Sequence, residues 1–268
     1  MRLSTFFARC PLFSRVPRPT AWLGLAAIFL ASLGLSADDQ TSPDVRGAAL
    51  AAELRSDRPA EPFTTAGVLR LRDSNGKWRA QIPVRMDVRV GPRSWQNSYE
   101  ALGTNNAPAE VLVVTHEEPL PNRYQHFQAA PERSGRGTNV TLLGNAAAVP
   151  FAGSEFWLSD LGLEFLHWPE QRLLRHEMRK GRSCHVLESV NPDPQGAAYA
   201  RVLSWIDIEH HGLLRAEAYG KNHKLVKEFS IGGFKKVDGK WQLKSMEIRN
   251  EQTDARTRLE FDLEIAER

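Results

Sequence analysis

The side chains best equipped for chemistry are the histidines of the second half of the chain, His167, His176, His185 and the neighbours His210 and His211. Imidazoles can act as general bases or metal ligands. Successive residues of a strand face apart, so His210 and His211 cannot both ligate one ion by simple strand geometry. A site from His176, His185 and one of that pair would need adjacent strands to assemble it, and solvated histidines at strand ends are the plainer expectation. Ser183-Cys184-His185 sets a nucleophile beside a base, yet the same alternation separates them and leaves Cys184 as a small buried apolar residue. The carboxylates Glu177, Glu188 and Asp207 alternate with apolar residues and are expected on a solvated outer face. The chain carries no glycine-rich phosphate loop, paired-cysteine zinc motif, G-x-S-x-G elbow or H-E-x-x-H. Gly135-Arg136-Gly137 lacks a following helix, and Asn139-Val140-Thr141 matches a glycosylation sequon of no evident consequence. No catalytic residue, metal or cofactor is therefore expected.

The elements around these residues begin with an export signal. Arg2, Arg9, Arg15 and Arg18 form a positive leader without acids, Ala21 to Leu35 is apolar, and Leu35-Ser36-Ala37 precedes Asp38-Asp39. This places cleavage after Ala37 and the mature protein in the periplasm. Four of the 35 Lys+Arg and none of the 32 Asp+Glu leave with the signal, so the remainder carries a net charge of −1. Its basic residues are interleaved with acids, which argues against nucleic acid. Cys184 is then the only cysteine, so the fold relies on its core rather than on a disulfide.

Ser42-Pro43 reads as an N-cap followed by proline at the first helical position. Gly47, Leu50, Ala51 and Leu54 share a face of the predicted helix, which Arg58-Pro59 and Pro62 terminate. Residues 38–62 thus form a leader and short helix, and 63–268 a single domain. Gly67, Leu69 and Leu71 alternate up to the hairpin signal Asp73-Ser74-Asn75-Gly76. Ile82, Val84, Met86, Val88 and Val90 make the partner strand, with Pro83 marking an edge or bulge.

Further strands are expected over Trp95–Ala101, Val111–Thr115 and Tyr124–Phe127, with a mobile loop over Pro131–Thr138. Phe151–Leu166 changes period: Ser154 can cap a helix, and Trp157, Leu158, Leu161, Phe165 and Leu166 recur at three and four before Pro169 stops it. Strands then follow in succession, with corners at Lys180-Gly181, His211-Gly212, Tyr219-Gly220 and Asp238-Gly239. That many antiparallel strands in one sheet must curl. Trp241 and Leu243 occupy one face but Met246 and Ile248 the other, which predicts a bulge near Lys244-Ser245; Thr257 to Ile265 alternate cleanly. The expected class is mostly β (α+β), a curved antiparallel sheet forming an incomplete barrel with covering helices.

The aromatic stretch FWLSDLGLEFLHWP, the series from LLRHEMRKGRSCHVLESVNP to KLVKEFSIGGFKKVDGKWQLKSMEIRN and TRLEF, Trp205-Ile206-Asp207, and Lys-x-Trp after Asp238-Gly239 together resemble the LolA-like outer-membrane lipoprotein-sorting family. The resemblance is strongest from Phe156 to Phe261. It implies an open barrel whose apolar cavity takes acyl chains, with a lid fastened by an arginine that no motif here identifies. Shielding a methylene from water is worth about 0.8 kcal/mol, so a modest cavity can hold lipid without catalytic groups. Candidate cavity and lid residues are Phe156, Trp157, Leu161, Phe165, Leu203, Trp205, Phe229 and Met246, with the lid helix near 154–167. The functional expectation is a monomeric periplasmic carrier, not an enzyme, that takes lipoprotein acyl chains or a related lipid from inner-membrane toward outer-membrane partners. The alternative is a cell-envelope interaction protein of the same fold with a filled cavity.

Overall fold

The computed structural model describes residues 42–262 other than 105, 131–136, 195, 197 and 238–239. The export signal with its cleavage site, most of the Pro131–Thr138 loop, Gly135-Arg136, the Asp238-Gly239 turn and Ile265 lie outside the described residues. One helix, α1 (Pro43–Ser56), precedes strands β1 (Phe63–Arg72), β2 (Trp78–Val90), β3 (Trp95–Leu102), β4 (Pro108–His116), β5 (Arg123–Gln128) and β6 (Thr138–Leu142). After a long connection come β7 (Glu170–Arg179), β8 (Arg182–Val190), β9 (Arg201–Asp207), β10 (Leu213–Tyr219), β11 (Leu225–Val237), β12 (Lys240–Asn250) and β13 (Arg256–Asp262).

These strands form one unclosed sheet in the order β6-β5-β4-β3-β2-β1-β13-β12-β11-β10-β9-β8-β7. Every paired neighbour is antiparallel, and β13 returns beside β1 with Leu69 opposite Leu259. The order has a direct consequence for function. Strands β6 and β7 are consecutive in the chain but lie at opposite edges, so residues 143–169 must run from one edge to the other. This crossover covers the inner face, whose alternate positions supply the core: Leu69 and Leu71, Val84, Met86 and Val88, Leu112 and Val114, and Met246 and Ile248. Each such aliphatic side chain contributes about 1.5–3 kcal/mol by leaving water.

Local sequence explains the elements. Ser42 Oγ accepts from the Val45 amide at 3.3 Å and Pro43 opens α1, whose buried residues are Gly47, Leu50, Ala51 and Leu54. The helix lies on edge strand β7 so closely that a Cβ on Gly47 would stand 2.5 Å from the Gln171 carbonyl oxygen. Lys180 and Gly181 both take positive φ, 49° and 75°, as a tight hairpin turn requires. Gly233 pairs with Ser245 and Phe234 with Leu243, which leaves Lys244 as the extra residue and produces the phase change between Leu243 and Met246. Pro83 lies one residue outside the part of β2 that pairs with β3, so its missing donor falls where that side of the strand has no partner.

Three expectations need correction. Strand β6, including Asn139-Val140-Thr141, extends the sheet where a loop boundary was expected. The segment near 154–167 is not one helix: a single turn α2 (Leu158–Leu161) and a 3-10 turn (Glu164–His167) flank Gly162 and Leu163, the latter at φ 52°. Ser154 does not cap it; the turn starts at Trp157, whose amide donates to Asp160 Oδ2 at 2.8 Å. Among the described residues, helical cover over the sheet is thus limited to α1, these short turns and a 3-10 turn at Gly144–Ala147. Asp207 and Glu188 are also not solvated: Asp207 is 2% exposed, paired with Arg182, and accepts from the backbone amides of Glu209 and His210, and Glu188 is buried against Arg201.

Candidate functional site

The crossover and the β9–β12 part of the inner face enclose an apolar cavity of about 70 Å³. Phe156, Leu161 and Phe165 approach from the crossover, and Phe229 and Met246 from the sheet. Ala216 and Ala218 of β10 also line it, and their small side chains leave the space. A buried water needs about 10–15 Å³, so this volume takes a few small groups, and a longer guest requires the crossover to lift.

Five expected cavity residues therefore meet at one place. Trp157 is adjacent, stacked on Tyr199 at 4.5 Å between ring centroids. Leu203 and Trp205 do not join them. In β9 the inner positions are Val202, Ser204 and Ile206, so strand alternation turns Leu203 and Trp205 to the outer face, in a small cluster with Cys184, Val186 and Leu214. Arg179 and Arg215 lie over the Trp205 ring at 5.0 and 5.5 Å. Glu177 and Glu188 are on the same outer face, paired with Arg175 and Arg201.

Among the described residues the cavity wall carries one cation, Lys227, only 2% exposed. Its ammonium donates to the Glu155 carbonyl at 2.5 Å, lies 3.7 Å from Asp160 Oδ2 and sits 3.7 Å above the Trp157 ring. Tyr199 donates to the same Asp160 oxygen at 3.2 Å. Burial pulls the Lys227 pKa down and pushes that of Asp160 up, and each charge works against the shift of the other. Sheet and crossover are thus joined at a caged ion pair. Burying such a pair is near neutral for stability, whereas removing one member leaves the other uncompensated.

Similar tethers recur along the crossover, mostly from side chains to its backbone. Glu110 Oε1 accepts from the Ala152 amide at 2.9 Å while bonded to His126 at 2.8 Å. Asn122 donates to the Gly162 carbonyl at 2.8 Å, Tyr124 to Glu164 Oε2 at 2.8 Å, and Arg55 of α1 to the Leu166 carbonyl at 2.6 Å. A Cβ on Gly162 would lie 2.3 Å from the Tyr124 hydroxyl, so only glycine fits there. Burial raises the Glu164 pKa to about 7.

Reactive groups are dispersed by comparison. Cys184 faces outward and His185 inward; His185 packs against His176 at 4.7 Å, while His211 pairs with Glu53 at 2.9 Å and His210 with Asp207 at 3.3 Å. His167 is driven down to about 4 by burial and by Arg55. Among the described residues no group of three or more His, Cys, Asp or Glu side chains is placed to hold a metal ion.

Comparison with known proteins adds the fold context. A family model described as "Uncharacterized protein" matches residues 140–265. No curated protein matches the chain. Among solved structures, a DUF1329 family protein from Desulfovibrio piger superposes with a TM-score of 0.67 at 17% identity, covering 83% of this chain and 92% of that one. A domain from Vibrio parahaemolyticus, described as one of outer membrane lipoprotein sorting, gives 0.65 at 19% identity over 81% and 90%. A LolA superfamily protein from Nitrosomonas europaea gives 0.53 at 15% over 82% and 92%. At these identities the likeness is one of fold, and the fold of this chain is LolA-like.

Proposed function

We propose that the protein is a periplasmic, non-catalytic carrier that shields acyl chains of a lipoprotein or a related lipid beneath the crossover and hands them toward the outer membrane. The observation that carries this reading is the apolar cavity between Phe156, Leu161 and Phe165 on one side and Phe229 and Met246 on the other. Each methylene that enters gains about 0.8 kcal/mol, so four or five suffice for appreciable binding without any reactive group. The crossover suits a lid that opens and closes. Its fastenings are individual hydrogen bonds, several of them to backbone carbonyls, and one ion pair, which would be broken in turn without unfolding the sheet. Arg55 at the Leu166 carbonyl and Lys227 at the Glu155 carbonyl are the cations that would share the fastening role expected of an arginine. The positive leader and apolar run at residues 1–37 support export, and membrane-bound partners on both sides would load and unload a monomer.

Binding of a fluorescent acyl probe to the purified protein tests the proposal. Wild type should bind it, and Ala218→Phe, which fills the space from the sheet side, should weaken binding at least tenfold with an unchanged urea midpoint. Equal binding by both proteins would place the probe elsewhere and reject the cavity as the carrier site.

A further inference from the structure

A second cavity, of about 40 Å³, lies across the Leu161–Leu163 turn from the apolar one, and both leucines line both spaces. Its walls set polar groups among Leu54, Trp95 and Leu166: Arg55 and Asp57 at the end of α1, Asn97 of β3, His116 of β4, and His167. Asn97 is 2% exposed, and its Oδ1 is buried without a protein partner. The orientation of this amide follows from its neighbour. Tyr99 donates its hydroxyl proton to the Leu161 carbonyl, so its oxygen accepts from the Asn97 amide nitrogen, and Asn97 Oδ1 is left as an acceptor in need of a donor. The partition between the two cavities contains Leu163 at φ 52°, a conformation that costs a bulky residue energy and marks a place held under strain.

We propose that the two cavities form one bipartite site for an uncharged amphiphile, its chain among Phe156, Phe229 and Met246 and its hydroxyl or amide headgroup donating to Asn97 Oδ1, with the Leu161–Leu163 turn swinging aside to admit it. This inference rests on the carrier reading and narrows its ligand. The headgroup is uncharged because Arg55 and Asp57 offer one charge of each sign, and Arg55 is already occupied by Glu118 and the Leu166 carbonyl. A carboxylate or phosphate would set oxygen against the oxygen of Asn97. His116 and His167 do not supply the missing cation, because burial drives them to about 3 and about 4 and leaves them neutral near pH 7.

The test is displacement of a fluorescent alkyl probe by three competitors of one chain length: monopalmitoylglycerol, palmitate and hexadecane. A donor to a buried acceptor is worth about tenfold, so monopalmitoylglycerol should bind about ten times more tightly than palmitate. Asn97→Leu should bring those two within about twofold and leave hexadecane unchanged, whereas Asn97→Asp, which keeps an acceptor, should preserve the order. If Asn97→Leu does not fold, the wild-type order alone decides. Palmitate binding as tightly as monopalmitoylglycerol would overturn the headgroup site while leaving the acyl carrier intact. Displacement by none of the three would overturn the carrier reading as well.

Discussion

The inner face of the sheet has two halves that differ in what fills them. Over β1 to β5, Tyr99, Leu112 and Tyr124 pack with Phe151 and Leu161 in one core and leave only small spaces of about 10 and 40 Å³. Over β9 to β12, Ala216 and Ala218 stand where large residues could, and about 70 Å³ remains open. Both halves tether the crossover, the first through Asn122 and Tyr124 and the second through Lys227, but only the second leaves a large space beneath it. The difference teaches that cavity placement in this fold depends on a pair of alanines as much as on the aromatic residues around them.

Five changes test this contrast, and the largest effect is expected at the ion pair. Lys227→Met should destabilise the protein by about 3–5 kcal/mol in urea unfolding, because Asp160 is left charged and buried, and adding Asp160→Asn should recover most of the loss. Full loss with no recovery in the double variant would mean that Lys227 acts through packing alone. Next, Leu112→Ala in the filled half should cost about 2–5 kcal/mol. Phe229→Ala, beside existing space, should fall at or below the lower end of that range while weakening acyl binding.

Glu164 gives an effect of at most about 3 kcal/mol, spread over pH. Its carboxyl has a folded pKa of about 7 against 4.5 for an ordinary glutamic acid, so folding favours the protonated form. Its stabilisation is complete below pH 4.5 and is lost as pH rises to about 7. Glu164→Gln should therefore gain stability relative to wild type between pH 4.5 and 7, as followed by urea midpoints across that window; a flat difference would contradict the assignment. The smallest effect is expected on the outer face, where Leu203→Ser should cost no more than about 1 kcal/mol and leave acyl binding unchanged.

Much of this contrast was readable in the sequence, and the exceptions have physical reasons. The buried face of α1, the β1–β2 hairpin and the bulge at Lys244 follow from spacing and turn chemistry alone. The crossover misleads because its aromatics recur at helical spacing while the chain has to traverse a wide sheet, and Gly162 with the left-handed Leu163 breaks the helix after one turn. Val202 to Ile206 has large apolar residues on both faces, so its phase is ambiguous in the sequence, and the structure turns Leu203 and Trp205 outward. Lys227 is legible in the sequence: it shares the phase of Phe229 and Ile231, and a lysine in register with an apolar face signals a buried partner. Asp160, Tyr199 and the two alanines carry no such mark; only the topology brings them to the cavity.

The central claim is that the hollow half holds an acyl chain. Native mass spectrometry of the protein purified from the periplasm, followed by organic extraction, tests it most directly. A bound acyl species should be found, lost in Ala218→Phe and retained in Leu203→Ser. A clean unliganded mass that persists after incubation with lipids and acylated peptide would contradict it.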